Sequence, residues 1–362
     1  MPRRTATMLA STLLLIALLC AGVLIPVPYS EMSPGPTVNT LQKHGGAEVL
    51  QVTGRKTYPA DGHLNMTTVR VTGADYRMNL AEAVYGWLSR DAVVPHSTLY
   101  PDGQTAEQAD EENAEEFSQS QESAKVAALE ELGIPVTSRV VVASVVKDGA
   151  SEGRLHAGDV IKAVDGQAVR KPADVADFVT EHKPGERVEF TIVPAKKAAA
   201  AEKAGQAEPK ATETVTVTAG KAPEDGRALV GIQAGTDHTF PFDIDIKLAD
   251  VGGPSAGLMF SLGLVDKLTP GSLTGGEFIA GTGTIDDTGK VGPIGGIQMK
   301  TIGAHEQGAE FFLTPEDNCR AALVGKPDGL TLVKVRTLSD AVDSVERIAE
   351  GGTTGLPACS AN

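Results

Sequence analysis

Positive charge, cysteine and aromatic side chains are all in short supply in this sequence. Lysine and arginine total 32 against 47 aspartates and glutamates, a formal net charge of −15. Without a basic excess, no nucleic-acid partner is expected, and an anionic membrane surface would repel the polar body of the chain. The three cysteines cannot build a disulfide framework. Cys20 lies in an apolar N-terminal segment, and the spacing of Cys319 and Cys359 does not decide whether they pair. No cysteine–histidine cluster has metal-ligand spacing, so no metal and no other cofactor is expected. A Walker-type phosphate loop is also missing, since Gly289-Lys290 is followed by Val291 rather than Ser or Thr. Aromatics make up only 4%, whereas glycine and proline are plentiful, and 362 residues suffice for two or three small domains.

A long apolar run is present at the N-terminus. Arg3 and Arg4 precede Met8 to Val27, a stretch of about twenty apolar or small residues, which is the length that spans a bilayer's hydrocarbon core. A cleaved signal peptide would need a small-residue cleavage site, and the sequence from Pro26 to Met32 has none. An uncleaved anchor is therefore expected. With arginines before the span and none just after it, the N-terminus is placed in the cytoplasm and the body outside, as a single-pass protein of the cell membrane.

The chemistry concentrates between Asp250 and His305. Gly252-Gly253-Pro254-Ser255-Ala256-Gly257 runs into the apolar segment Leu258 to Leu264. Proline suits the first turn of a helix and the two glycines permit a tight turn before it. Ser255 is then expected in the first helical turn, beside free N–H groups that favour developing negative charge. A serine needs a base to act as a nucleophile. Lys300, at the start of a second expected helix over 298–307, is the candidate, provided burial among Ile297, Met299 and Ile302 lowers its pKa from about 10.4 towards roughly 7–8. His305 lies five residues on, about 140° around that helix, and so faces away.

GGPSAG followed downstream by the lysine of PIGGIQMK resembles the serine–lysine dyad of the Lon protease family, over roughly Val230 to Ala349. The resemblance implies that Ser255 is the nucleophile and Lys300 the general base. It also implies that Thr282, in Gly281-Thr282-Gly283, hydrogen-bonds the lysine. One departure is plain: many members carry an acidic residue three places before the serine, where this chain has Gly252, and Asp250 is two residues further upstream. The backbone N–H groups from Gly253 to Ala256 are expected to form the oxyanion hole.

Upstream of this stretch, Ser33-Pro34-Gly35-Pro36 reads as a stiff exit from the membrane, and Glu48 to Thr53 and Leu64 to Thr72 as strands. Leu80 to Leu88 reads as a short helix. Residues 101–131 are strongly acidic and are expected to be a solvated helix or a partly disordered spacer, while the closing part, Ala124 to Leu132, has an apolar face expected to dock on the next domain. From Gly133 onward, GASEGRLHAGDVIKAVDGQAV between strands over 140–146 and 187–193 resembles a bacterial PDZ domain. By that resemblance an extended peptide adds to the strand from Val140 to Val145, with Arg139, Val140, Val141 and Val142 as candidate binding residues; the rival is that the groove is filled internally. Pro194 to Glu213 has the composition of an exposed insertion.

These readings combine into a multidomain α+β protein with an N-terminal transmembrane helix, a PDZ-like β-rich domain and a Lon-type α/β proteolytic domain. The expected divisions are a stub and anchor over 1–30, a β-rich segment over 31–100, and the acidic spacer over 101–131. A PDZ domain follows over 132–220 with its insertion at 194–213, then the proteolytic domain over 221–350 and a tail over 351–362. The expected function is that of a serine endopeptidase acting on proteins or peptides, held to the membrane by its first helix. A silent PDZ scaffold and a self-processing protein are the alternatives. Whether the chain is a homo-oligomer is left open.

Overall fold

The computed structural model describes residues 3–360 except 90, 91, 102, 205–208, 224, 250 and 353. Two compact units emerge, one made of residues 1–134 and 242–362 and the other of residues 135–241. The first unit opens with helix α1 (Arg3–Leu24), then strands β1 (Tyr29–Asn39), β2 (Leu50–Thr53) and β3 (His63–Val71). Helix α2 (Leu80–Leu88), strand β4 (Ala92–Pro95) and the long helix α3 (Ala106–Glu131) follow. The inserted unit comprises β5 (Thr137–Val145), β6 (Val160–Val164), α4 (Pro172–Thr180), β7 (Arg187–Val193), α5 (Ala195–Lys203), β8 (Glu213–Thr218) and β9 (Ile232–Thr239). The chain then returns to the first unit with β10 (Asp243–Ile246), α6 (Gly257–Leu268), β11 (Phe278–Gly281) and α7 (Ile297–Glu306). Strand β12 (Phe311–Pro315), the short helix α8 (Cys319–Ala322), β13 (Thr331–Val335) and α9 (Leu338–Ala349) complete it.

The first unit is built on one mixed sheet in the order β13-β12-β11-β3-β1-β4. The run from β13 to β3 is parallel, and β1 lies antiparallel to both of its neighbours. One face carries α6 and the other α7. Alternation along β3 turns Met66 and Leu64 to one side and Asn65, Thr67 and Val69 to the other. Met259 of α6 backs onto Gly281, the neighbour of Met66, while Gly296 at the start of α7 packs on Val69. α6 is buried nearly all round, as a helix of almost continuous apolar sequence must be.

Several expectations are corrected here. The Ser33–Pro36 segment is part of strand β1, inside the sheet, rather than a stiff exit from the membrane. The pairing with β3 shifts register between Pro34 and Thr37, so Pro36 falls at a bulge, where strands tolerate a missing N–H. Only glycine fits at position 35, where a Cβ would overlap Thr68. Residues 31–100 therefore share a sheet with the segment that carries the serine and the lysine. Residues 106–131 form a helix whose closing part is buried as expected, but α3 is not solvated upstream of it, because Ala109, Phe117 and Ser120 are buried as well. Its carboxylates occupy the outer face, and Phe117 meets Phe260 of α6 edge-on with ring centroids 5.9 Å apart. The end of the chain is tied down as well: Cys319 and Cys359 form a disulfide, and Lys334 N–H donates to Pro357 C=O at 2.7 Å.

The inserted unit has a sheet in the order β8-β7-β6-β5-β9, folded over a core that includes Phe190, Val164, Val175 and Val179. Residues 232–239, which the expected division places in the proteolytic domain over 221–350, instead form its edge strand β9. The insertion after β7 is not wholly exposed: α5 seats Ala198 against Val141, Val160 and Val193. Residues 205–208 of that insertion lie outside the described residues.

Candidate active site

Ser255 sits in a tight turn ahead of α6 rather than within the helix. Gly253 holds φ at 80°, a left-handed conformation that delays the helix until Gly257, so Pro254 precedes it instead of opening it. Backbone contacts pin the turn on both sides. Gly253 N–H donates to Asn113 C=O at 2.9 Å, Gly283 N–H donates to Ser255 C=O at 2.9 Å, and Leu258 N–H donates to Gly283 C=O at 3.1 Å. The Ser120 hydroxyl adds a bond of 2.8 Å to Pro254 C=O. Ser255 itself is half-buried.

Lys300 reaches the same point from the other face of the sheet. It is the fourth residue of α7 and is 2% exposed. Its Nζ lies 2.7 Å from Ser255 Oγ and 3.0 Å from Thr282 Oγ1. Thr282 directly follows β11, so the three side chains converge at the carboxyl end of a parallel strand, where open α/β sheets place their sites. The Thr282 hydroxyl donates to Ser255 C=O at 2.9 Å. A hydroxyl has one hydrogen, so towards Lys300 the Thr282 oxygen is an acceptor.

Burial pushes the Lys300 amine down from 10.5 to about 7. Desolvation is the cause, and among the described residues no carboxylate pairs with the amine. Asp250 lies outside the described residues. Gly252, which stands where the resemblance would place an acidic residue, packs on α3, and a Cβ there would come within 3.0 Å of Asn113 Cβ. The helix occupies the room that a side chain would need.

The expected oxyanion donors are narrowed by this arrangement. Gly253 N–H is taken by Asn113, and Pro254 has none. Among the described residues no acceptor meets the N–H of Ser255 or Ala256, and these two remain beside the serine hydroxyl. Sequence reasoning missed Asn113 and Ser120 entirely. A signal was present in the helical spacing Phe117, Ser120, Ala124, Ala127, but alanine and serine make a faint stripe against so many carboxylates.

The candidate peptide-binding residues fare differently. β5 is paired with β9 from Thr137 to Val145, and with β6 through Val141, Gly158 and Asp159. Val140, Val141 and Val142 thus offer no free edge, and Arg139 is engaged by Asp237 at 2.6 Å. The edge strand beside α4 is β9 instead, with Ile232 and Ala234 packed against the core that holds Val175 and Val179.

Comparison with known proteins divides the chain in two. Residues 247–345 match the family model of the Lon protease (S16) C-terminal proteolytic domain, and residues 116–202 match that of the PDZ domain. Lon protease 2 of Bacillus subtilis is 29% identical over 110 residues, which is 29% of this chain and 19% of the relative. Lon protease of Fusobacterium nucleatum is 44% identical over 66 residues, 18% of this chain and 8% of the relative. The chain thus spans less than a fifth of the curated relatives it matches. The crystal structure of the PDZ domain of the SdrC-like protein from Listeria innocua is 26% identical with a TM-score of 0.21, covering 28% of this chain and 98% of that one.

Proposed function

We propose that this chain is a membrane-anchored serine endopeptidase in which Ser255 is the nucleophile and Lys300 the general base. One observation carries the reading: a buried amine with its pKa near 7 lies 2.7 Å from the hydroxyl of a half-buried serine. In its neutral form the Lys300 nitrogen accepts the Ser255 proton as Oγ bonds to the substrate carbonyl carbon. Thr282, as an acceptor, holds one N–H of that amine and turns its lone pair towards Ser255. Negative charge forms on the carbonyl oxygen, where the N–H groups of Ser255 and Ala256 receive it, a role typically worth about 10²–10³ in rate per donor. The Lys300 ammonium then returns the proton to the departing amine as the C–N bond breaks, leaving an acyl-enzyme. Water attacks that ester, passing a proton to Lys300, and Ser255 recovers its own as the acid product leaves.

The match to the Lon proteolytic domain supports the reaction class. The apolar helix Arg4–Leu24 supports the anchor. The Cys319–Cys359 disulfide supports a body outside the cytoplasm, where such bonds persist. A peptide would add to the open edge of β9 beside α4, as strand addition requires an unpaired edge.

The test is turnover of an unfolded protein such as casein by the full chain in detergent micelles. Cleavage that disappears in Ser255→Ala is expected. Casein cleavage that persists in Ser255→Ala would overturn the dyad, and an intact Ser255 chain that cuts nothing, or only itself, would favour a silent scaffold or a self-processing protein.

A further inference from the structure

Helix α2 is amphipathic the wrong way round for a soluble protein. It rests on the sheet through its smallest residues, Ala83 and Gly86, which are buried. Gly86 is held so close that a Cβ would come within 2.6 Å of Val93 Cγ2. Its large apolar residues point outward: Leu80 is 39% exposed, Val84 42%, Trp87 58%, Tyr85 70% and Leu88 83%. At 100° per residue these five side chains fill one continuous arc of about 160°. The polar Glu82 is turned away from that arc into the helix's own capping box with Asn79. Large apolar residues gathered on one exposed face, with a tryptophan and a tyrosine among them, mark an interaction surface rather than ordinary surface scatter.

The position of α2 says what covers this face. The candidate span Arg4–Leu24 has 21 residues, about 31 Å of helix and so roughly one hydrocarbon thickness. Its far end meets α2 directly. Leu80 N–H donates to Ile25 C=O at 3.0 Å, Val27 N–H donates to Met78 C=O at 2.8 Å, and Gly22 backs onto Ala81. The apolar face of α2 therefore begins at the level where the apolar length of α1 ends. Trp87 and Tyr85 are the side chains that bilayer–water boundaries enrich, because each has an apolar body and a polar tip.

We infer that α2 is an in-plane membrane helix, with Leu80, Val84, Tyr85, Trp87 and Leu88 seated in the lipid boundary next to the point where α1 leaves the bilayer. The occupant of this face is lipid. Helices of this type bury their apolar face about 5–10 Å into the boundary between headgroups and acyl chains. The catalytic unit would then be held by two elements rather than swivelling on one, since α2 joins the sheet through β1 and β4. This inference rests on the reading of α1 as a membrane anchor.

Trp87 is the only tryptophan in the chain, so it reports on this face without labelling. The full chain would be reconstituted into phosphatidylcholine vesicles, floated on a density gradient, and its emission measured with lipids brominated near the headgroup. Flotation with blue-shifted emission, quenched by the brominated lipid and reversed towards the red in Leu88→Glu, is the expected result. Flotation with red, unquenched emission would overturn the inference while leaving the anchor intact. Blue-shifted emission that brominated lipid does not quench would also overturn it, pointing to a protein cover such as a second copy. Failure to float would instead sink the anchor reading, and this inference with it.

Discussion

The Thr282 hydroxyl donates to the carbonyl of Ser255, and that one bond decides how Lys300 is held. Thr282 has no second proton, so it can only accept from the amine. Thr282→Ser keeps this arrangement and should retain most activity. Thr282→Val keeps the shape and loses both hydrogen bonds, and should lower kcat by about tenfold to a hundredfold with KM little changed. Steady-state kinetics on a peptide substrate checks the split. A Thr282→Val variant with full kcat would show that the amine needs no such orientation.

As the proposed general base Lys300 would act only when neutral, and burial lowers its amine to about 7. Activity should therefore rise with pH through a single ionisation near 7 and level off above it, far below the 10.5 of an ordinary lysine. Lys300→Arg should be inactive, because guanidinium keeps its proton. Turnover by Lys300→Arg close to that of the parent would require a different base.

The same burial has a consequence for stability. The unfolded lysine holds its proton up to about 10.5 while the folded one releases it near 7. Between those values the unfolded state binds more protons, so this site adds stability as pH rises. Lys300→Met removes the mismatch and should melt at a higher temperature than the parent at pH 7, by an amount worth roughly 1–3 kcal/mol. The gap should close towards pH 10. A lower melting temperature for Lys300→Met across the whole range would contradict the account.

The Ser120 hydroxyl fixes the Pro254 carbonyl, just before Ser255. Ser120→Ala should cost about 1 kcal/mol of that positioning, roughly a fivefold fall in kcat. Its pH profile should keep the midpoint of the parent, since the amine is untouched. A shifted midpoint would mean that α3 acts on Lys300 rather than on the serine turn.

The disulfide closes a loop with a sequence separation of 40, and Cys359 packs with Ala280, Ile297 and Phe312. Cys359→Ser should lower stability by about 2–4 kcal/mol. Reductant should lower the melting temperature of the parent and leave that of the variant unchanged. A parent indifferent to reductant would argue that the two thiols do not pair in the working protein.

What was legible in the sequence were features set by neighbours along the chain. The GGPSAG turn, the PIGGIQMK helix start and the apolar run of α1 depend on local backbone chemistry and hydrophobic length. The pairing of Ser255 with Lys300 came through family resemblance, because nothing in periodicity alone brings those side chains together. The two helices lie on opposite faces of a sheet, and only strand order makes them meet at Thr282. The same order drew the Ser33–Pro36 segment into a strand, with Pro36 at a bulge, where strands tolerate a missing N–H. It seated α3 beside the nucleophile through a stripe of alanine and serine too weak to read by hydrophobicity. It also filled the edge of β5 with β9, because antiparallel pairing joins segments however far apart they lie in the chain. Local sequence thus determined the reactive groups and the helices that carry them, whereas long-range hydrogen bonding and burial decided which groups face one another and how far the lysine is shielded from water.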